Sequence, residues 1–451
     1  QRNRQERGDL SVMTSTPDRV HIVGLGYVGL PLAVAFSKHL TVTGFDLDPT
    51  RVDELIRGHD RNGEVQLDSV GGDSLEYVTD PECLSDASFI IVAVPTPVDE
   101  NNEPVLDHLE SASRMVGHAF KSRSEGLQPP VVVYESTTFP GCTEEICGPA
   151  IGESSGLEPG VDFKLGYSPE RTNFGDAEHT LQTVIKVVSG QDEETTSLIE
   201  TVYGQIAISG THRAPDIRTA EAAKVIENVQ RDLNIALVNE LAILFDRLGL
   251  STSDVLDAAS TKWNFSRYSP GLVGGHCIPV DPYYLTYKAE EAGFHPSLIL
   301  AGRNTNEQIP GFIEEKLRSL LGGKGKHLTD CRVLIMGVAF KPNVSDIRNS
   351  KAITLAKLLA ESGARIEVYD PLVDVNIMER MDLVPGGDPS EMNGRYDAII
   401  VATGHDVFLD GSVDNYCEWF ADSGVMIDIP GDFSPSLQDL MESRGDLYWR
   451  P

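Results

Sequence analysis

From Arg19 to about Ile208 the chain alternates short, unbroken apolar runs with amphipathic stretches. Val20–Val23, Leu40–Phe45, Phe89–Val94 and Val131–Tyr134 are continuous and rich in β-branched residues, the pattern of strands buried on both faces. Leu30–Lys38 and Arg51–Arg57 lie between them and read as amphipathic helices. This alternation predicts a doubly wound parallel sheet. From about Arg218 to Leu248 the pattern changes to a long run without Gly or Pro, with Val225, Ile226, Val229, Leu233, Ile235 and Ala236 at helical spacing. A helix of that length spans about 45 Å, and such helices serve as spines between domains or as dimer interfaces. Beyond His327 the runs Arg332–Met336, Arg365–Tyr369 and Asp397–Val401 again read as parallel strands.

The expected fold is therefore α/β: two Rossmann-like doubly wound parallel-sheet domains joined by a central helical domain with one long helix. The expected division is a disordered leader over 1–17, then 18–212, 213–315 and 325–451. The long helix is the expected interface of a homodimer. No run of about 18 apolar residues occurs, so no membrane span is expected, and the polar opening Gln1 to Pro17 lacks the apolar segment of a secretory signal.

Charge sharpens this picture. The formal net charge is −32, with 69 Asp and Glu against 37 Lys and Arg. That balance disfavours nucleic acid and anionic membranes as partners. The acids are dispersed and arginine outnumbers lysine, which suggests a surface adapted to high salt, where screening removes self-repulsion. Six cysteines, at 83, 142, 147, 277, 331 and 417, are too sparse and irregular for a disulfide framework or a zinc ribbon, so a cytoplasmic protein without a structural metal is expected.

The first motif with chemistry is Gly24-Leu25-Gly26-Tyr27-Val28-Gly29, behind a strand and opening a helix, with Asp46 at the end of the next strand. Glycines there let the backbone approach a pyrophosphate at a helix N-terminus, and the acid takes ribose hydroxyls and repels a 2′-phosphate. NAD is the expected cofactor. Arg51 follows the acid and could lie over the adenine or reach a phosphate. Lys224 and Asn228, at i and i+4 on the long helix, share one face, where a cation and an amide can hold an oxyanion. The small neighbours Ala220, Ala222 and Ala223 cannot shield the lysine.

Tyr134-Glu135-Ser136-Thr137-Thr138-Phe139-Pro140-Gly141 and Tyr167-Ser168-Pro169-Glu170-Arg171 follow strands, at the edge where open α/β sheets place ligands. Thr137 could order a water and Glu170 could act as a base. Finally, Gly274-Gly275-His276-Cys277-Ile278-Pro279 sets a cysteine behind a flexible turn, with Asp281 four positions on. A thiol nucleophile beside a hydride acceptor suggests oxidation through a thioester.

Gly24–Gly29, Val94-Pro95-Thr96-Pro97, Glu135–Gly141, Ser168–Arg171, Ala222-Ala223-Lys224 through Asn228, Gly274–Asp281 and Phe340-Lys341 through Asp346-Ile347-Arg348 occur in the order of the UDP-glucose/GDP-mannose dehydrogenase family. The resemblance covers nearly everything from residue 19 to about 435, and it is nearest to the branch acting on UDP-N-acetylhexosamines. It implies NAD-dependent, four-electron oxidation of the sugar C6 alcohol to a uronic acid. UDP-N-acetylglucosamine is the expected substrate, with the mannosamine and galactosamine epimers and UDP-glucose as alternatives. In this reading Cys277 attacks the aldehyde, Lys224 and Asn228 stabilise oxyanions, and Asp281, or Glu170 with Thr137, activates the hydrolytic water.

The resemblance also implies that Thr96, Thr137 and Arg348 join Gly24, Gly26, Tyr27, Val28, Gly29, Asp46 and Arg51 at the cofactor. Glu170, Arg171, Lys224, Asn228, Gly274, Phe340 and Lys341 are implied at the UDP-sugar. Family members often bring an arginine from the partner subunit to the sugar; no match stands at a fixed spacing, and Arg267 is the nearest candidate. Phe174 stands where that branch usually has proline, which leaves the path of its loop open. His276 reads as a pocket wall, and His405 as either near the UDP or on the surface. Two other classes remain: a single-oxidation dehydrogenase, which needs no cysteine, and a non-catalytic NAD-sensing protein.

Overall fold

The computed structural model describes residues 16–63, 65, 67, 74–172, 179–387, 392–409 and 413–451. The expected leader, up to residue 15, and the loop holding Phe174 lie outside the described residues. The chain forms two compact units. One takes in the residues up to Glu227 with Tyr283–Ala292, and the other comprises Asn228–Pro282 with Gly293–Pro451.

In the first unit eight strands form one sheet: β1 (Arg19–Val23), β2 (Thr41–Phe45), β3 (Leu75–Val78), β4 (Phe89–Val92), β5 (Val131–Tyr134), β6 (Lys164–Tyr167), β7 (Lys186–Gly190) and β8 (Thr211–Arg213). Their order is β3-β2-β1-β4-β5-β6-β7-β8. Every residue of β4 and β5 is buried, as continuous apolar runs covered on both faces require. Helices α1 (Gly29–Phe36), α2 (Pro49–Ile56), α3 (Asp107–Phe120), α4 (Gly148–Ser155) and α5 (Glu193–Tyr203) accompany the strands. Leu30, Ala33 and Phe36 of α1 and Ile199 and Val202 of α5 pack with Ile22, Ile91 and Val133 in one apolar core. All pairs in this sheet are parallel except β6 with β7, which is antiparallel. The periodicity of the sequence does not carry that reversal.

α6 (Ile217–Leu248) is 32 residues long, one residue longer at its start than its pattern predicts. In the second unit α7 (Thr252–Ser260), the start of α8 (Asp281–Glu291) and α9 (Ser297–Gly323) precede a wholly parallel sheet. Its strands are β9 (Arg332–Met336), β10 (Arg365–Tyr369), β11 (Tyr396–Val401), β12 (Phe420–Asp428) and β13 (Leu447–Trp449), in the order β10-β9-β11-β12-β13. The expected third-region strands match β9, β10 and β11 to within one residue.

A buried polar network ties α9 to α6. Arg303 pairs with Asp232 at 2.5 Å, Asn306 donates to Asp232 at 2.8 Å, and Asn239 donates to Asn306 at 2.8 Å. Removing one partner of such a buried pair costs about 3–5 kcal/mol, because it leaves an uncompensated charge. Among the described residues, no helix is long and apolar enough to cross a membrane.

His21 on β1 is buried, and its Nδ1 lacks a hydrogen-bond partner. Burial, then the Arg19 charge, pushes its pKa down to about 4 from 6.5. The unfolded chain therefore takes up this proton first, so the stability is fully present above about pH 6.5. It is lost as the pH falls toward 4, by about 3 kcal/mol. His21→Val should flatten the acid side of the melting-temperature profile. Parallel profiles for the variant and the wild type between pH 4 and 6.5 would contradict this account.

Candidate active site

The dinucleotide fingerprint is built in the turn between β1 and α1. Gly24 has φ +92°, and a Cβ there would sit 2.7 Å from the Ala93 carbonyl oxygen. A Cβ on Gly29 would overlap the Gly24 carbonyl oxygen, whereas one on Gly26 would meet no protein atom within 4 Å. The first glycine thus makes the turn, the third lets helix and strand close up, and the second leaves its approach open, as a pyrophosphate requires. α1 has no side-chain cap and no acid in its first turn, so no side chain competes with an anion at its N-terminus. Asp46 follows β2 directly and accepts from Leu25 N at 2.8 Å and from Asp48 N at 2.9 Å. These residues fit a dinucleotide.

Arg51 is buried. Its Nε donates to the Leu25 carbonyl at 2.9 Å and its Nη2 pairs with Asp60 at 2.8 Å, so it braces the fingerprint turn from behind. Thr96 lies half-buried in the loop after β4, on the same edge of the sheet.

Thr137 is half-buried just beyond β5, and its neighbour Ser136 donates to the Val94 carbonyl at 2.6 Å. Glu170, beyond β6, accepts from Thr172 N at 2.6 Å. Arg171 donates to the Ile185 carbonyl at 2.7 Å and pairs with Glu227 at 2.8 Å. Lys224 is buried on α6, not solvated. Three residues earlier, Glu221 accepts from Gly141 N, Thr143 N and Thr143 Oγ1, which fixes the end of the Thr137 loop to the helix carrying Lys224. Burial pushes the Glu221 carboxyl up to about 7, against the pull of these donors.

In the second unit the cysteine segment is pinned to α6 at two places. Gly271 N donates to Asn239 Oδ1 at 2.8 Å, and Asn228 Nδ2 donates to Asp281 Oδ2 at 2.6 Å. The two asparagines lie about three turns apart on α6. Cys277 is half-buried between the anchors, and its carbonyl accepts from Val280 N and Asp281 N at 3.0 and 2.8 Å, which starts α8. The Gly-Gly turn packs on Phe340. Gly275 has φ +94°, a Cβ there would sit 2.7 Å from the Phe340 ring, and a Cβ on Gly274 would sit 2.8 Å from the Asn349 carbonyl oxygen. Only glycine gives this approach. His276 stacks edge-on against Phe340 and accepts from Arg348 at 3.2 Å. Arg348 also grips Asp346, and Lys341 Nζ lies 5.7 Å from the Phe340 ring centre. Arg267 pairs with Asp257.

His405 is fully buried, not a surface residue. Its Nδ1 accepts from Asn343 N at 2.9 Å, so its Nε2 carries the proton toward Asp370 Oδ2 at 3.1 Å. Asp370 also accepts from Val338 N and Ala339 N, so the two ends of the loop holding Phe340 and Lys341 are fixed by one buried pair. Burial works to raise the Asp370 carboxyl, but His405 and the backbone donors hold it below its ordinary value. The sequence reading missed Lys186, Glu221 and Asp370. Asp370 alone had a signal, since it follows β10 directly as Asp46 follows β2.

A glycine cradle open to a pyrophosphate with an acid placed for the ribose, followed by a second parallel sheet, defines a dinucleotide-binding α/β protein of two sheets. The chain belongs to the UDP-glucose/GDP-mannose dehydrogenase family: residues 18–207 match its NAD binding domain, 218–308 its central domain and 334–433 its UDP binding domain. It is an NAD-dependent oxidoreductase. It is 46% identical to the UDP-N-acetyl-D-glucosamine 6-dehydrogenase of Pseudomonas aeruginosa, over 88% of this chain and 93% of that one. It is 44% identical to Protein CapL of Staphylococcus aureus, over 91% and 95%. Among solved structures, the UDP-D-ManNAc dehydrogenase of Pyrococcus horikoshii superposes with a TM-score of 0.81 at 29% identity, covering 91% of this chain and 94% of the other.

Gly26→Val should leave the melting temperature nearly unchanged and weaken NAD binding about tenfold or more, about 1.4 kcal/mol, as read by titration of the cofactor. Gly29→Ala should instead destabilise the fold. Equal stability losses in the two variants would refute this division of labour.

Proposed function

We propose that the chain oxidises the C6 alcohol of a UDP-N-acetylhexosamine, with UDP-N-acetylglucosamine first, to the uronic acid in two NAD-dependent steps through a thioester on Cys277. The supporting observation is the placement of Cys277, on a segment anchored to α6 at both ends and stacked on the Phe340 loop. The 44–46% identity to two UDP-N-acetyl-D-glucosamine 6-dehydrogenases favours that sugar over the mannosamine epimer, whose dehydrogenases match at 29–32%. The cradle of Gly24, Gly26 and Gly29 with Asp46 would hold NAD, with Thr96, Thr137 and Arg348 assigned to the same ligand, and NAD would supply the hydride acceptor for each oxidation.

Cys277 Sγ adds to the carbonyl carbon of the aldehyde, which forms the C–S bond. Lys224 and Asn228 stabilise the oxyanion that results, the amide of Asn228 being oriented by its bond to Asp281. In the release step water attacks the thioester carbonyl and the C–S bond breaks. The thiolate leaves, and the water's proton passes to Asp281 or to Glu170, with Thr137 holding the water. Phe340, Lys341, Gly274, Arg171 and Arg267 are assigned to the UDP-sugar. We assign the dinucleotide domain to 18–212, the central domain to 213–315 and the UDP domain to 325–451.

The exposed apolar side chains of α6 (Ile226, Leu237, Leu244 and Leu248) support a homodimer through that helix. The excess of 69 acids over 37 bases supports work in a salty cytoplasm.

The test supplies UDP-GlcNAc, UDP-GalNAc, UDP-ManNAc and UDP-glucose separately at high salt and counts NADH per sugar. Two NADH per UDP-GlcNAc are expected, and Cys277→Ser should stall after the aldehyde. Wild-type turnover in that variant, or one NADH per sugar, would sink the thioester route. Equal rates on UDP-glucose would move the substrate to the glucose branch.

A further inference from the structure

We propose that Glu135 is a positioning residue for Glu170, acting through Lys186 and through a single water held between the two carboxylates; this rests on Glu170 serving as a base in the release step. Glu135 follows β5 and is fully buried, and Lys186 is the first residue of β7 and equally buried. β7 runs antiparallel to β6, so its first residue stands at the same edge as the C-terminal ends of β5 and β6. That reversal brings a lysine to Glu135. Lys186 Nζ donates to Glu135 Oε2 at 2.6 Å and to the Pro169 carbonyl at 2.8 Å, the residue directly before Glu170.

Stability does not explain such a pair. Desolvating two charges is expensive, and apolar residues of similar volume often serve a fold as well or better. The remaining oxygen of Glu135, Oε1, makes no well-formed hydrogen bond, and the equally buried Tyr203 hydroxyl beside this carboxylate makes none either. Glu135 lines a cavity of about 10 Å³ together with Glu170, Thr172, Tyr27 and Val28. That is about the room one water needs, and the walls offer it polar partners. A water there donates one O–H to Glu135 and the other to Glu170. One Glu170 oxygen is already held by Thr172. The carboxylate is thereby fixed from two sides, on a backbone that Lys186 holds at Pro169.

When water attacks the thioester, its proton moves to Glu170 beside the Glu135–Lys186 pair. Burial raises the Glu135 carboxyl above its ordinary value against the pull of Lys186, and the Glu170 charge adds to that rise, so the two acids sense each other.

The experiment measures the pH profile of the release step in Glu135→Gln, Glu170→Gln, the Glu135→Gln/Glu170→Gln double variant and the paired Glu135→Leu/Lys186→Met variant. Glu135→Gln removes a negative charge and leaves the Lys186 cation beside Glu170, which favours ionised Glu170. The acid limb should therefore move to lower pH, with release slowed about tenfold. The apolar pair should fold, because no buried charge is left alone, yet show the same slow release. In the Glu170→Gln background, Glu135→Gln should cause no further change. If Glu170→Gln flattens the acid limb while Glu135→Gln superimposes on the wild type, the positioning role is overturned and the role of Glu170 stands. If Glu170→Gln itself keeps the wild-type profile, it is the reading of Glu170 that falls.

Discussion

The cysteine segment depends on its double attachment to α6. Asn239 holds Gly271 and Asn228 holds Asp281, with about three helical turns between the anchors and Cys277 between them. A loop with two consecutive glycines has many conformations to lose. The anchors and the Phe340 ring remove them at the level of the fold, so a substrate need not. The network of Arg303, Asp232 and Asn306 stiffens the same face of α6, and Asn306 also receives the Asn239 amide. The cysteine segment is thus tied to the helical scaffold by part-buried polar contacts that continue into the buried Asp232–Asn306 network.

Acids dominate this chain, and four of the buried ones meet donors that tie loops and helices together. Glu221 meets three donors, Asp232 meets Arg303, Asp370 meets His405 and two amides, and Glu135 meets Lys186. Three of these four lie beside the loops that carry candidate chemistry. The surface charge bears on salt and solubility, whereas these buried carboxylates fix loop geometry.

Most of the architecture could be read from the sequence, because parallel strands covered on both faces are continuous apolar runs and the long helix contains neither Gly nor Pro. The antiparallel turn into β7 could not, since a strand's direction is not encoded in its hydrophobic pattern. The fingerprint and the cysteine turn were legible because their glycines are demanded by close backbone approaches at Gly24, Gly29 and Gly275. Lys186 and Glu221 were not. A lysine opening a strand and a glutamate on an alanine-rich helix read as solvated until tertiary packing buries them. His405 was left between a ligand role and the surface, and its burial between Asn343 and Asp370 rules out the surface.

The two sheets carry an acid at corresponding positions, Asp46 after β2 and Asp370 after β10, each gripping the amides of the turn beyond its neighbouring strand. Asp46 remains partly open, whereas Asp370 is sealed by His405 and also takes the Leu372 amide. A ribose can present its hydroxyls to the first acid but finds the second fully engaged. The second acid is thereby committed to its own loop, and of the two sheets it is the first whose acid stays open to a ribose.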